Sequence, residues 1–245
     1  MKVCLALSGG AARGAYHLGV LAALEENDIE VVAISGSSIG AIIGASYASG
    51  VSPEEQLEIF RSKTFKKAFK FHSLRNGFLR IDKQKEILKE LVPVERIEDM
   101  RIKLYVTTID LYSGNIMRFD RGDAVSLCVA SGAVVPLFKP VAYEGYHLAD
   151  GGIMDNLPVE PLLQYGFPIF GVDLHPQQSG FTNSFSGIVK RTLFLLWRAS
   201  VQRQISQCDL YITDEKLTGY SLFRLKKLQE MFDLGYEKTR LLTYY

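Results

Sequence analysis

Val31-Val32-Ala33-Ile34 leads through Ser35 into Gly36-Ser37-Ser38-Ile39-Gly40, and a stretch rich in Ala, Gly and Ile follows to Ser49. The first four residues, three of them β-branched, read as a buried strand. The stretch over 39–49, closed by Gly50, reads as a helix. Between them lies G-x-S-x-G in the strand–turn–helix setting that gives this motif its meaning. So sharp a turn strains its middle residue. Side chains two positions to either side would collide, so Gly36 and Gly40 must both be glycine. The Ser38 hydroxyl then projects above a sheet at a helix N-terminus, where amides and dipole favour developing negative charge. Ser38 fits this frame and Ser37 does not. The motif also recurs by chance, so a bare Gly/Ser turn is the competing reading.

The same alternation extends outward. Residues 3–7 form a short apolar run that ends at Ser8-Gly9-Gly10. Over 15–26, Leu18, Leu21, Ala22 and Leu24 recur at helical spacing. Strand, Gly turn, helix, strand, Gly turn, helix is the βαβ pattern of an α/β protein with a parallel sheet and covering helices. Ser52-Pro53-Glu54-Glu55 is a helix start, with a Ser cap, Pro at the first position and acids in the first turn. That helix is expected to run to Phe71. Further helices are predicted over 81–91, 124–131, 185–206 and 222–242. A hairpin is predicted from strands 103–109 and 116–119 around Ser113-Gly114-Asn115, with two more strands at 167–174 and 210–212. No repeat, low-complexity tract or linker interrupts the chain, so 1–245 is expected to be one domain.

Two other stretches carry chemistry. Ser8-Gly9-Gly10-Ala11-Ala12-Arg13-Gly14 closes the first strand with small residues whose amides can point at one spot. Such a loop suits an anion, either a phosphate or an oxyanion. The spacing is wrong for the dinucleotide G-x-G-x-x-G. A P-loop is excluded because Gly14 is followed by Ala15 and Tyr16 rather than Lys and Ser/Thr. A tight βα turn without a ligand is the alternative. A serine nucleophile needs a base, usually His. His17, His72, His147 and His175 all lack a context that marks one out. Leu148-Ala149-Asp150-Gly151-Gly152 instead presents a carboxylate as a short strand enters a Gly-rich turn, although Asp is common in turns for its own reasons.

Together these stretches resemble the patatin-like phospholipase family. The likeness rests on residues 7–21, which hold Gly9-Gly10-Ala11-Ala12-Arg13-Gly14, on Gly36-Ser37-Ser38-Ile39-Gly40-Ala41, and on Asp150-Gly151-Gly152. Ala130-Ser131-Gly132-Ala133-Val134-Val135-Pro136-Leu137-Phe138 and Asp155-Asn156-Leu157-Pro158-Val159 extend it over roughly residues 3–160. The resemblance implies a three-layer αβα sandwich with a mostly parallel central sheet. The strands and helices of 161–245 would complete it. It also implies a Ser-Asp dyad without histidine. Ser38 would be the nucleophile and Asp150 the base. Gly9, Gly10 and Ala11 would supply oxyanion amides, with Arg13 and Gly14 supporting the loop. The family usually has a third Gly where this chain has Ala11, and a position that needs φ > 0 would be strained there.

The implied substrate is a lipid or other acyl ester, cleaved through an acyl-enzyme with no metal and no cofactor. The alternatives are an acyltransferase using the same acyl-enzyme and an inactive membrane-binding relative. Composition restricts partners without naming one. Apolar residues are 47% of the chain, enough for a core, and the net charge of +1 gives no global pull toward nucleic acid or membrane. Cys4, Cys128 and Cys208 are widely spaced and read as reduced thiols. No run approaches the ~18 apolar residues of a membrane span, and the N-terminal run is too short for a signal peptide. The expectation is a cytoplasmic protein, peripheral at a membrane at most.

Residues 60–80 are the polarised exception. Seven basic residues interleave there with Phe60, Phe65, Phe69, Phe71 and Phe78, and only the basic sign is present before Arg80. That stretch reads either as a helix with a solvated basic face or as a segment in contact with anionic lipid. No nucleic-acid motif accompanies it.

Overall fold

Along β1 (Lys2–Leu7) successive side chains serve two different cores. Val3, Leu5 and Leu7 enter a large apolar cluster on one face of the sheet, while Cys4 and Ala6 enter a smaller one on the other. The computed structural model describes residues 1–68, 82–222 and 224–242. Within them, β1 pairs in parallel with β2 (Glu30–Ser37) and with β7 (Ile169–Val172). β2 pairs in parallel with β3 (Lys103–Asp110), and β7 with β8 (Leu210–Ile212). β4 (Ile116–Phe119), β5 (Val141–Tyr143) and β6 (Tyr146–Asp150) add antiparallel pairings around β3. The mostly parallel sheet anticipated from the βαβ alternation is present.

One face of the sheet is thick. α1 (Ala15–Glu26), α2 (Ile39–Ala48), α6 (Ala124–Ser131) and α8 (Leu228–Arg240) bury Leu18, Ile43, Leu127 and Met231 there. α3 (Pro53–Arg61) and α5 (Asp82–Leu91) add Leu57 and Leu88. The opposite face is thin. Cys4, Ala6 and Ala33 are small, and a 3₁₀ segment (Glu160–Tyr165) with α7 (Phe185–Ile205) covers them through Leu162 and Val201. These are the three layers of an αβα sandwich, unequal in depth.

Two expectations are corrected and one element is added. The helix begun at Ser52 does not run on to Phe71. It stops at Arg61, and α4 (Lys63–Ala68) starts afresh because the Ser62 hydroxyl accepts the Phe65 amide. Residues 69–71 lie outside the described residues. The β5–β6 hairpin was not anticipated, because its turn is Glu144-Gly145, both at positive φ, rather than the usual Asn-Gly. The last helix begins at Leu228 rather than 222, since the Leu222 carbonyl is engaged by the Ala12 amide.

Candidate active site

The sheet's hydrogen-bond pattern brings the two central residues together. β4 occupies one edge of β3 over Val106–Ile109, so β2 and β6 share the other edge end to end. Ser37, the last residue of β2, pairs with Thr107, and Asp150, the last of β6, pairs with Thr108. Two segments more than a hundred residues apart thus end at neighbouring positions of one strand. Each then turns out of the sheet, into α2 after Ser38 and into a 3₁₀ turn (Gly151–Ile153) after Asp150.

Ser38 is held at φ 54° and ψ −123°, a conformation L-residues rarely adopt. The neighbouring glycines make it accessible. A Cβ on Gly36 would lie 2.5 Å from the Gly40 carbonyl carbon, and one on Gly40 would lie 2.2 Å from the Leu7 carbonyl oxygen. The elbow is therefore wedged between its own first helical turn and the end of β1. The Ser38 amide donates to Ser131 Oγ at 2.8 Å, and Ser131 Oγ donates to the Thr107 carbonyl at 2.7 Å. This clamp leaves the Ser38 side chain half-buried and reachable.

Asp150 is 1% exposed. Its amide is bonded to the Ala133 carbonyl, and its Oδ1 accepts the Gly152 amide at 2.7 Å. Oδ2 is buried without a hydrogen bond of normal geometry. The Ser38 side chain is nonetheless close enough to favour the carboxylate. Burial outweighs both neighbours and pushes the carboxyl up to about 6.

The glycine loop packs against this pair: a Cβ on Gly9 would lie 3.0 Å from Ser38 Cβ. Its amides are not equivalent. The Gly9 amide is already taken, by Asn156 Oδ1 at 3.1 Å and the Asn156 carbonyl at 3.3 Å. Among the described residues, the Gly10 and Ala11 amides make no bond inside the protein. Ala11 sits at φ 49°, so the replacement of Gly by Ala is strained, by about 1–2 kcal/mol. The loop is fixed from behind. His17 Nε2 donates to the Ser8 carbonyl at 2.8 Å, and the Ser8 hydroxyl contacts the Gly9 carbonyl. Arg13 is buried and donates to the carbonyls of Leu174 and Tyr220. Gly14 lies against Ile39 at the start of α2.

Among the described residues, no histidine side chain is hydrogen-bonded to Ser38, and that of His17 is held by the Ser8 carbonyl. Burial pushes both His17 and His175 down to about 4. His147 is exposed on β6, and His72 lies outside the described residues. Two residues in the site have roles that their sequence context did not reveal. Ser131 fixes the elbow, and Asn156 fixes Gly9. A small cavity beside Asn156 is lined by His175, Phe194, Trp197, Arg198 and Val201. Trp197 Nε1 would lie 3.0 Å from a Cβ on Gly152, so α7 reaches the Asp150 turn.

The chain matches the family model described as patatin-like phospholipase over residues 5–163. An uncharacterized NTE family protein of Mycobacterium tuberculosis is 34% identical over 163 residues, 66% of this chain and 45% of that protein. A protein named lysophospholipase NTE1, from Mycosarcoma maydis, is 30% identical over 190 residues, 71% of this chain and 10% of its own length. The chain therefore spans less than half the length of these relatives. Among solved structures, VipD from Legionella pneumophila superposes with a TM-score of 0.55 at 15% identity, over 97% of this chain and 66% of VipD, which is a likeness of fold.

Proposed function

Since the chain belongs to the patatin-like phospholipase family, we propose that it is a serine hydrolase of fatty acyl esters, working through Ser38 and Asp150 alone. One observation carries this reading. A strained, reachable serine stands beside a buried carboxylate whose proton affinity has been raised to about 6. An ordinary carboxylate, near 3.9, is a poor base for an alcohol. Asp150 is a better one, yet is still mostly ionised at neutral pH.

In this mechanism Asp150 Oδ2 takes the Ser38 proton as Oγ attacks the ester carbonyl. The oxyanion of the tetrahedral intermediate falls to the free amides of Gly10 and Ala11 and to the N-terminus of α2. One such donor is typically worth about 3–4 kcal/mol. The alcohol leaves with the proton, an acyl-Ser38 forms, and water attacks it with Asp150 again as base. Gly9 belongs to the loop's frame in this scheme rather than to its donors. A lysophospholipid substrate is supported by the name of the Mycosarcoma maydis relative, and a phospholipid by the description of the family.

A fluorophosphonate probe and a short-chain p-nitrophenyl ester test the assignment. Ser38 is expected to be labelled. Ser38→Ala and Asp150→Asn should each lower turnover at least a thousandfold with unchanged circular dichroism. Full turnover in either variant would refute the assignment. Labelling without turnover would instead point to transfer of the acyl group to an acceptor other than water.

A further inference from the structure

α7 has two unlike faces. At 3.6 residues per turn, Phe185, Ile188, Val189, Leu195 and Leu196 fall within an arc of about 120°. All five are exposed, Phe185 at 85% and Leu196 at 65%. Thr192 and Ala199 share the arc and are exposed as well. Val201 occupies the opposite side and is buried, and the cavity-lining Phe194 and Trp197 lie on that side too. The apolar stripe from 185 to 199 is about 21 Å long at 1.5 Å per residue. Phe181, 62% exposed, extends it before the helix. Ile153 and Met154 are also exposed, at the Asp150 turn that Trp197 approaches from the other side of the helix.

Scattered exposed apolar residues need no explanation, but a continuous stripe does. Its charge setting narrows the occupant. Between Asp173 and Asp209 the sequence holds no acid and four basic residues, Lys190, Arg191, Arg198 and Arg203. Arg198 is tied to Asp173, whereas exposed Arg203 continues the apolar arc at its C-terminal end. An apolar stripe with cations and no anions fits a negatively charged lipid surface. No helix among the described residues is long and apolar enough to cross a membrane, so α7 would lie on the surface rather than span it.

We propose that the exposed face of α7 is the surface by which this protein settles on an anionic bilayer. This rests on the lipid-ester reading of Ser38, since a bilayer presents that substrate. The stretch for which the sequence offers a lipid contact as one of two readings, residues 60–80, is described only in part. In the described part of residues 60–80, Phe60 and Phe65 are buried and packed together at 4.8 Å, as anchors in the core. The remainder of that stretch lies outside the described residues.

The test uses the full chain as Ser38→Ala, so that binding is read independently of turnover. Vesicles of phosphatidylcholine alone are compared with vesicles in which phosphatidylglycerol replaces about a third of it, at low and high salt. Binding is expected to the second only, and to weaken with salt. Phe185→Ser with Ile188→Asp and Leu196→Asp should lower it at least tenfold, while Lys63→Glu with Lys66→Glu leaves it within twofold. The same α7 changes on the Ser38 background should leave soluble-ester turnover within twofold. Phe185→Ser alone touches no core, so a several-fold loss from it confirms the surface even if the triple variant fails to fold. Undiminished vesicle binding in both α7 variants overturns the proposal. So does a wild-type dimer that the triple variant dissociates without change in vesicle binding, which would assign the face to a second copy. Loss of ester hydrolysis in the wild type would end the enzymatic reading and leave the binding result standing.

Discussion

Asp150 shows how one residue's environment sets both chemistry and cost. Its carboxyl rises from 3.8 to about 6 because burial removes it from water, and the Ser38 side chain and Gly152 amide return only part of that loss. In the proposed mechanism the base must be ionised, so turnover should rise with pH along a limb centred near 6 and flatten above 7. A profile already flat at pH 5 would show that burial does not tune this group. Stability runs the other way. A folded pKa above the unfolded one gives a contribution present in full below pH 3.8 and lost as pH rises past 6. The rise corresponds to about 3 kcal/mol. Asp150→Asn should therefore exceed the wild type in thermal stability at pH 8, with the gap closing toward pH 4. Equal melting temperatures at pH 8 would mean that ionised Asp150 is better solvated than its burial implies. The carboxylate was visible in the sequence beside its glycines. Its burial was not, because a carboxylate in a Gly-rich turn carries no local mark of what the rest of the fold packs around it.

At the scale of elements, the elbow is the most determined feature, and it was also the most legible. G-x-S-x-G states a steric requirement over five adjacent residues, and the structure meets it with backbone on both sides. A methyl group at Gly40 would have to displace the β1 backbone at Leu7, so Gly40→Ala should destabilise by about 3 kcal/mol and remove most ester turnover with it. Guanidinium unfolding followed by the p-nitrophenyl assay would measure both. A variant as stable and active as the wild type would mean that β1 yields at no cost. The supports of the elbow were less legible. Ser131 reaches the Ser38 amide across 93 residues of chain and Asn156 reaches Gly9 across 147. Neither spacing leaves a local mark, and both residues appeared only as letters within family-like blocks. The loop likewise reads as three equal amide donors until Asn156 is seen to occupy the first.

For the whole molecule, alternation of strands and helices specified the sheet, but not the unequal depth of its two faces. The thick side depends on contacts with no sequence signature. α1 and α8 meet where a Cβ on Gly19 would lie 1.9 Å from the Phe232 carbonyl oxygen, over two hundred residues away. The thin side depends on α7, which covers small residues and exposes its apolar stripe, so it needs a polar tether. Arg198 supplies one: it pairs with fully buried Asp173 beyond β7 and also donates to the His175 carbonyl and to Tyr211 Oη. Removing one partner of such a pair leaves a buried charge without compensation, at about 3–5 kcal/mol. Arg198→Met should cost that much. It should also free α7 before the rest of the molecule, since the thick core shares few side chains with it. Trp197, the only tryptophan in the chain, is the reporter. Its emission should shift to the red at a lower denaturant concentration than the loss of far-ultraviolet circular dichroism, while the two transitions coincide in the wild type. Coincident transitions in Arg198→Met would mean that the thin layer and the thick core unfold as one unit, and that the surface beside the site is as rigid as the sheet beneath it.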